Sequence, residues 1–159
     1  MKRQKFLLSW GGVGYFPKAP GTMGSLATLP LIFAMSYLKF SVNLSFTLIL
    51  LVVSIICAEK VQNKLQVFDP GWIVVDEVLG MLTAWLFIPI WNWRYALSLF
   101  LIFRFFDIVK IWPANWVDKK IKSGAGTILD DIVSGIYTGL IFLGIRSFFP
   151  ALAKWLEII

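Results

Sequence analysis

The sequence predicts an all-α membrane protein, a multi-pass helical bundle with about four to five spans that forms one domain over residues 1–159. Hydrophobic residues make up 58% of the chain and charged residues only 15%, whereas soluble domains are about 45–50% apolar and about 25% charged. The mean hydropathy of +0.78 and the eight Trp point the same way, because Trp is enriched at bilayer interfaces.

Five apolar stretches have about the length that a membrane helix needs, which is roughly 20 residues. They run over approximately 21–40, 42–58, 73–93, 95–112 and 132–149. The second stretch has no charge, and the fourth is apolar in its first half and polar in its second. Gly124 and Gly126 precede the fifth stretch and predict a flexible loop there.

The charges favour one orientation in the bilayer. With the amino end in the cytoplasm and five crossings, eleven of the fifteen Lys and Arg fall on the inner side, as the positive-inside rule requires. Eight of the nine acidic residues also fall at or near this side, with Glu157 the exception. We therefore expect polar loops gathered on the cytoplasmic side. The net charge of +6 on so apolar a chain favours anionic lipid as the partner over nucleic acid.

Asp76 and Glu77 stand in the otherwise apolar run WIVVDEVLGM. A charge within a span costs roughly 2.5–3.5 kcal/mol on insertion scales, so these residues need a partner or a function. Carboxylates with only oxygen donors around them suit Mg²⁺, Ca²⁺ or Mn²⁺. The alternative interpretation is that the two acids end a helix at the interface.

Arg104, Asp107 and Lys110 recur at three-residue spacing in IFRFFDIVKIWP, which places them on one broad face of a helix. A guanidinium near the middle of the bilayer is a functional candidate, and its fork fits a phosphate or a carboxylate. The alternative is a structural pair of Arg104 with Asp107, while Lys110 extends to the interface. The two interpretations are compatible.

Asp130 and Asp131 lie in GAGTILDDIVSGIYTG, and Asp131 shares a helix face with Gly135 and Gly139. Such small residues four apart let helices approach closely, so we expect the acids to be drawn against a neighbouring helix. The alternative is that they cap the amino end of a helix. The Gly- and Pro-rich segment GGVGYFPKAPGTMGSL has backbone amides that could face an anion, or it is a turn-rich entry to the first span.

Missing residue types exclude several mechanisms. The chain has no His, which excludes a histidine nucleophile and a Ser-His-Asp arrangement. The one cysteine, Cys57, lies within an apolar stretch without a base nearby, which argues against a thiolate nucleophile and a thiolate metal site. Carboxylates together with Arg and Lys remain, and this set can hold a divalent metal and bind a phosphate.

Four blocks of the sequence together resemble the phosphatidylglycerophosphatase A family. They are YFPKAPGTMGS at 15–25, VVDEVLGM at 74–81, FRFFDIVKIWP at 103–113 and GAGTILDDIVSG at 124–135. The resemblance implies a Mg²⁺-dependent phosphatase of the bacterial inner membrane, whose substrate is phosphatidylglycerol phosphate and whose products are phosphatidylglycerol and inorganic phosphate. The acidic positions of the family correspond to Glu59, Asp69, Asp76, Glu77, Asp107, Asp130 and Asp131 here, and its basic positions to Arg104 and Lys110.

The resemblance and the residues together predict a site and a mechanism. We expect hydrolysis by metal-activated water with a carboxylate accepting the proton, and a covalent aspartyl-phosphate route stays open. Asp107 would orient Arg104 or join the metal site. The expected metal ligands are Asp76, Glu77, Asp130, Asp131 and Glu59, and the expected substrate-binding residues are Arg104, Lys110, Thr22 and Ser25.

Two other functions fit parts of the pattern. One is a phosphatase for another lipid head group, which a substrate panel would separate. The other is an ion-coupled membrane transporter, in which Asp and Arg within the membrane relay ions. A transporter predicts charges at similar depth in two matching halves with broken helices, and the sequence shows no such symmetry.

Overall fold

The computed structural model describes residues 1–158, apart from the side chain of residue 118, and these residues form helices with no strand. The all-α class is therefore confirmed. The helices are α1 (Lys2–Leu8), α2 (Pro20–Met35), α3 (Phe40–Leu65), α4 (Val75–Leu86), α5 (Trp93–Val109), α6 (Ala114–Lys120), α7 (Gly124–Phe148) and α8 (Pro150–Trp155), with a 3-10 turn at Val13–Tyr15.

Each of the five apolar stretches overlaps mainly one helix, although the bounds differ from the prediction. Helix α3 continues past the apolar stretch to Leu65, and α4 ends at Leu86, sooner than predicted. The early end of α4 has a local cause, because Pro89 lacks an amide hydrogen and disfavours helical geometry in the residue before it. Helix α4 is consequently a short helix of 12 residues.

The prediction of a flexible loop at Gly124 and Gly126 is wrong, because both residues lie in the first turn of α7. A Cβ on Gly124 would lie 2.3 Å from the backbone nitrogen of Glu59, and one on Gly126 would lie 1.7 Å from the carbonyl oxygen of Ile121. The two glycines therefore serve close packing at the start of the helix. Two glycines in a short stretch suggested a flexible backbone, because the sequence does not show which residues pack against them.

Two helices, α3 and α7, are long and apolar enough to cross a bilayer, and α2 is a shorter apolar helix. Many large apolar side chains are exposed, among them Ile49 and Val52 on α3 and Leu101 and Phe105 on α5. Contiguous apolar surface of this extent is uncommon on soluble monomers and is typical of proteins that contact lipid or a partner.

Helix α4 is the centre of the bundle. Val78, Leu79, Leu82 and Trp85 on this helix are completely buried, so that apolar residues face its neighbours on all sides. A helix that is hydrophobic all round is one enclosed by other helices or by lipid. The position of α4 explains why its two acids, which follow Val75, end up inside the protein.

Helices α4 and α7 cross closely through small residues. A Cβ on Gly135 would lie 2.3 Å from the carbonyl oxygen of Gly80, and one on Gly80 would lie 2.7 Å from the carbonyl oxygen of Asp131. The prediction that small residues draw the acids of α7 against a neighbouring helix is thus confirmed for Asp131, and the neighbour is α4. Contacts of Gly21 with Glu77, of Gly124 with Glu59 and of Lys110 with Asp130 bring the first residues of α2, α4 and α7 together with the last residues of α3 and α5.

Candidate active site

Three carboxylates meet at this shared end of the bundle. Asp76, Glu77 and Asp131 each offer an oxygen, and these oxygens all lie within 4.8 Å of one another. Asp76 is 7% exposed and Asp131 is 4% exposed. Burial and mutual repulsion both disfavour three ionised carboxylates at such a place unless a cation or a proton neutralises them.

The helices position these acids in different ways. Asp76 and Glu77 occupy the first turn of α4, where the helix dipole favours negative charge, and the Glu77 amide donates to Asp76 Oδ1 at 3.1 Å. They do mark a helix end, as one interpretation held, yet they point into the protein. Asp131 lies in the second turn of α7, because that helix begins at Gly124. The capping interpretation of Asp130 and Asp131 is therefore wrong.

Arg104 stands beside the three carboxylates. Its Nη1 forms a close ion pair with Asp107, lies 3.8 Å from Glu77 Oε1 and donates to Ser25 Oγ at 3.5 Å. The carboxyl group of Asp107 also lies close to that of Asp131. Within the described residues, Arg104 Nε is buried and has no acceptor. The predicted structural pair of Arg104 with Asp107 is therefore present, and it stands next to Asp76, Glu77 and Asp131, which we call the acidic group.

Lys110 and Asp130 form a second ion pair, with 2.7 Å between Nζ and Oδ2. Lys110 follows the last turn of α5 in a left-handed conformation, which turns the chain there. Its side chain is 32% exposed, whereas that of Asp130 is 5% exposed. Lys110 therefore reaches inward to a buried acid, and the expectation that it extends to the interface is wrong.

Glu59 lies apart from the group of three carboxylates. Its Oε2 accepts a hydrogen bond from the Gly124 amide at 2.6 Å, and its Oε1 accepts one from Asn63 Nδ2 at 3.0 Å. The Ser123 side chain makes no capping hydrogen bond to α7. Glu59, which lies on α3, therefore caps the amino end of α7. Asp130 is also not in the group, since its carboxylate faces Lys110.

The first turn of α2, which belongs to the Gly- and Pro-rich segment, packs against the residues of the site. A Cβ on Gly21 would lie 2.0 Å from Glu77 Oε1 and 3.2 Å from Arg104 Nη1. Ser25 Oγ donates to the Gly21 carbonyl oxygen at 3.0 Å, and Thr22 lies between these two residues in the same turn. The segment is therefore part of the site as well as the entry to α2.

Sequence reasoning did not single out Gly21 or Gly80, although a Cβ at either position would collide with residues at the site. A signal existed for Gly80, which lies four residues after Asp76 and therefore on the same face of α4. Gly21 gave no comparable signal, because its close neighbours come from α4 and α5.

The donors of the acidic group fit a hard divalent cation. All three are carboxylates, and no nitrogen or sulfur ligand is among them. Glu77 Oε2 is buried and makes no hydrogen bond within residues 1–158. A buried carboxylate oxygen without a donor is unfavourable unless something else satisfies it, and a cation would do so.

Carboxylates and fixed cations at one end of an apolar helical bundle are the groups with which a helical phosphohydrolase could hold a metal and bind a phosphate. The profile of the phosphatidylglycerophosphatase A family matches residues 6–146, which is most of the chain. The chain belongs to this family.

Named relatives agree with the family. Phosphatidylglycerophosphatase A of Escherichia coli (strain K12) is 33% identical over 84% of this chain and 78% of its own length. The protein of the same name from Haemophilus influenzae is 35% identical over 85% of this chain and 83% of its own. A Bacteroides thetaiotaomicron protein, provisionally named a phosphatidylinositol-3-phosphatase, is 33% identical over 98% of both chains. No solved structure matches this chain.

Proposed function

We propose that the protein hydrolyses the terminal phosphomonoester of phosphatidylglycerol phosphate to phosphatidylglycerol and inorganic phosphate. The observation that carries this proposal is the group of Asp76, Glu77 and Asp131 within 4.8 Å, with the Arg104 guanidinium against it. Membership of the family and the names of the Escherichia coli and Haemophilus influenzae relatives support the choice of substrate.

Asp76, Glu77 and Asp131 would hold the cation, and Mg²⁺ is the one expected. When bound, a divalent ion supplies a Lewis acid that polarises the phosphoryl oxygen and makes water a stronger nucleophile at neutral pH. Asp130 and Glu59 were also expected among the ligands. Their contacts with Lys110 and with Gly124 favour roles as supporting residues in this proposal.

The phosphate would be bound by Arg104 and Lys110, with Thr22 and Ser25 in the first two turns of α2 beside it. Arg104 makes its contacts with Asp107, Glu77 and Ser25 through Nη1, which leaves the other side of the guanidinium fork for a phosphate oxygen. Asp107 holds Arg104 in place and is a positioning residue. Fixed donors aimed at the phosphoryl oxygens stabilise the charge that develops there in the transition state.

A carboxylate of the group would accept the proton of the attacking water. A general base of this kind contributes about 10²- to 10⁴-fold to the rate. The diacylglycerol chains would stay in the lipid beside the bundle, so the scissile bond would reach the site from the membrane surface.

The protein would cross the bacterial inner membrane several times, with the site facing the cytoplasm. The charge distribution supports this orientation, since Lys and Arg are concentrated at the end of the bundle where the site lies. Cysteine labelling tests it in a Cys57→Ser background. A membrane-impermeant maleimide should label a Lys39→Cys variant in intact spheroplasts, and a Lys64→Cys variant only after permeabilisation. Labelling with the two results exchanged would reverse the proposed orientation.

Phosphate release from phosphatidylglycerol phosphate by the detergent-purified protein tests the activity. We expect release with Mg²⁺, none with EDTA, and a loss of at least about 100-fold in Asp131→Asn. Glu157→Gln is the matched control, because it neutralises an acid that pairs with Arg94 outside the site. No release from folded protein with any divalent metal would refute the proposal.

A phosphatase for another lipid head group is the second candidate. The name of the Bacteroides thetaiotaomicron relative, which matches nearly the whole chain, favours keeping it. Competition between phosphatidylglycerol phosphate and phosphatidylinositol 3-phosphate in mixed micelles separates the two. The substrate with the higher kcat/KM identifies the head group that the site selects.

A further inference from the structure

Helix α1 presents a cationic and aromatic surface that the proposed reaction does not use. Lys2 and Arg3 are exposed, and the Phe6 ring on the same side of the helix is 67% exposed. Lys5 Nζ lies over the Trp72 ring at 5.6 Å from its centroid. We define the α1 patch as the side chains of Lys2, Arg3, Lys5, Phe6 and Trp10.

The cations of the α1 patch have no acidic partner among the described residues. Among the described residues, none of Lys2, Arg3 and Lys5 forms an ion pair with a carboxylate. Three cations on one short helix therefore present an uncompensated positive surface. Such a surface attracts anions at a membrane, where each Lys or Arg near anionic lipid contributes about 1 kcal/mol.

An apolar groove adjoins these cations. Phe6, Leu7, Trp10 and Gly11 line a groove of about 350 Å³. A volume of this size falls in the range of about 300–1,000 Å³ that is typical of small-molecule sites. Cations beside an apolar groove match a ligand with an anionic head and a hydrocarbon tail, and an exposed Phe with a nearby Trp suits the membrane interface.

The α1 patch lies at the same end of the bundle as the carboxylates, yet it shares no residue with them. The Val74 amide donates to the Leu8 carbonyl oxygen at 2.9 Å, which fixes the end of α1 to the segment just before α4. A Cβ on Gly14 would lie 1.9 Å from the Trp72 carbonyl oxygen, so the chain after α1 is also pressed onto this segment. A ligand on α1 would therefore lie at the depth of the same leaflet as the site.

We propose that the α1 patch binds one anionic phospholipid that is not the molecule being hydrolysed. The side chains of Lys2, Arg3 and Lys5 contact its head group, and the groove beside Phe6 and Trp10 takes part of an acyl chain. The helix backbone has no role in this binding. The proposal is independent of the proposed reaction, because it requires neither the carboxylates nor turnover.

Binding of spin-labelled phosphatidylserine tests this proposal on the full-length protein in phosphatidylcholine nanodiscs. The immobilised fraction of the label, compared with that of spin-labelled phosphatidylcholine, gives the relative affinity. We expect a preference for phosphatidylserine that falls about 10- to 100-fold in Lys2→Gln/Arg3→Gln/Lys5→Gln, since three near-surface charges are removed. The matched control, Lys39→Gln/Arg146→Gln/Lys154→Gln, removes three exposed cations from the opposite end of the bundle.

Further variants separate the α1 patch from the substrate site and the head group from the chain. Arg104→Gln should keep the preference, and Phe6→Ser should weaken the binding of both labelled lipids. Equal loss in the two triple variants would overturn the proposal, as would loss in Arg104→Gln alone. Displacement of the label by soluble glycerophosphoserine as effectively as by intact phosphatidylserine would also overturn it, because the groove would then have no part.

Discussion

Replacing Gly135 by Ala tests whether the close crossing of α4 and α7 builds the acidic group. The new Cβ would lie 2.3 Å from the Gly80 carbonyl oxygen and 3.1 Å from Thr83 Cβ, whereas ordinary contact begins at 3.4 Å. Both obstacles belong to the neighbouring helix, and a backbone atom cannot rotate away. The helices must therefore separate by about 1 Å, at a cost of roughly 1–3 kcal/mol.

The separation acts directly on the site, because Asp131 is one turn from Gly135 and Asp76 is one turn from Gly80. A misplacement of about 1 Å among reacting groups can lower the rate about 100-fold. We expect Gly135→Ala to lower kcat/KM for phosphate release by about that factor and to lower the midpoint of thermal unfolding in detergent. The assay is initial-rate phosphate release over a range of substrate mole fractions.

Gly144→Ala is the control on the same helix, since nothing lies within 4 Å of a Cβ at that position. It should keep full activity and gain up to about 1 kcal/mol of helix stability. If Gly135→Ala and Gly144→Ala have the same kcat/KM, the close crossing does not position the carboxylates and the reasoning fails.

Three further substitutions separate the roles of the charged residues. Glu59→Ala should destabilise the protein by about 1.5–3 kcal/mol, because the buried amide of Gly124 loses a charged acceptor. Glu59→Gln should keep most of the activity. An inactive but stable Glu59→Gln variant would instead indicate a chemical role for Glu59. Arg104→Lys keeps the positive charge but loses the forked guanidinium group, so kcat/KM should fall about 100-fold while the Mg²⁺ dependence stays unchanged. Near-normal activity would show that a point charge suffices. Lys110→Gln should raise KM about tenfold with a smaller change in kcat, and an effect on kcat alone would exclude substrate binding by Lys110.

The sequence was informative where a residue was unusual for its surroundings. Asp76, Glu77 and Asp131 stand in apolar runs, and the high free energy of a charge in such a place singles them out without any structure. Gly135 was informative for the same reason, since a small residue four positions from an acid on a helix predicts a close neighbour.

The division between Asp130 and Asp131 could not be predicted. Adjacent residues on a helix point about 100° apart, at 3.6 residues per turn, so two neighbouring acids need not face the same helix, and here only Asp131 joins the acids of α4. Which one does so depends on where α7 begins and how it is rotated. The start at Gly124 was concealed by glycines that are typical of loops.

The role of Glu59 was beyond prediction for a related reason. Its acceptor oxygen is used by an amide 65 residues away in the chain, and no local pattern records that contact. The sequence therefore predicted which acids gather at one end of the bundle. It did not predict which of them share a cation and which of them hold a helix in place.

The shortness of α4 has a consequence for depth in the membrane placement proposed above. Twelve residues make a helix about 18 Å long, while the hydrocarbon layer is about 30 Å thick. The chain that follows α4 must then leave its helix among apolar surroundings, where a bare carbonyl is unfavourable. The Trp85 indole satisfies one such group by donating to the Ile90 carbonyl oxygen at 2.7 Å. In that placement, a residue buried in the core would let an irregular stretch of backbone exist at a depth where water cannot solvate it.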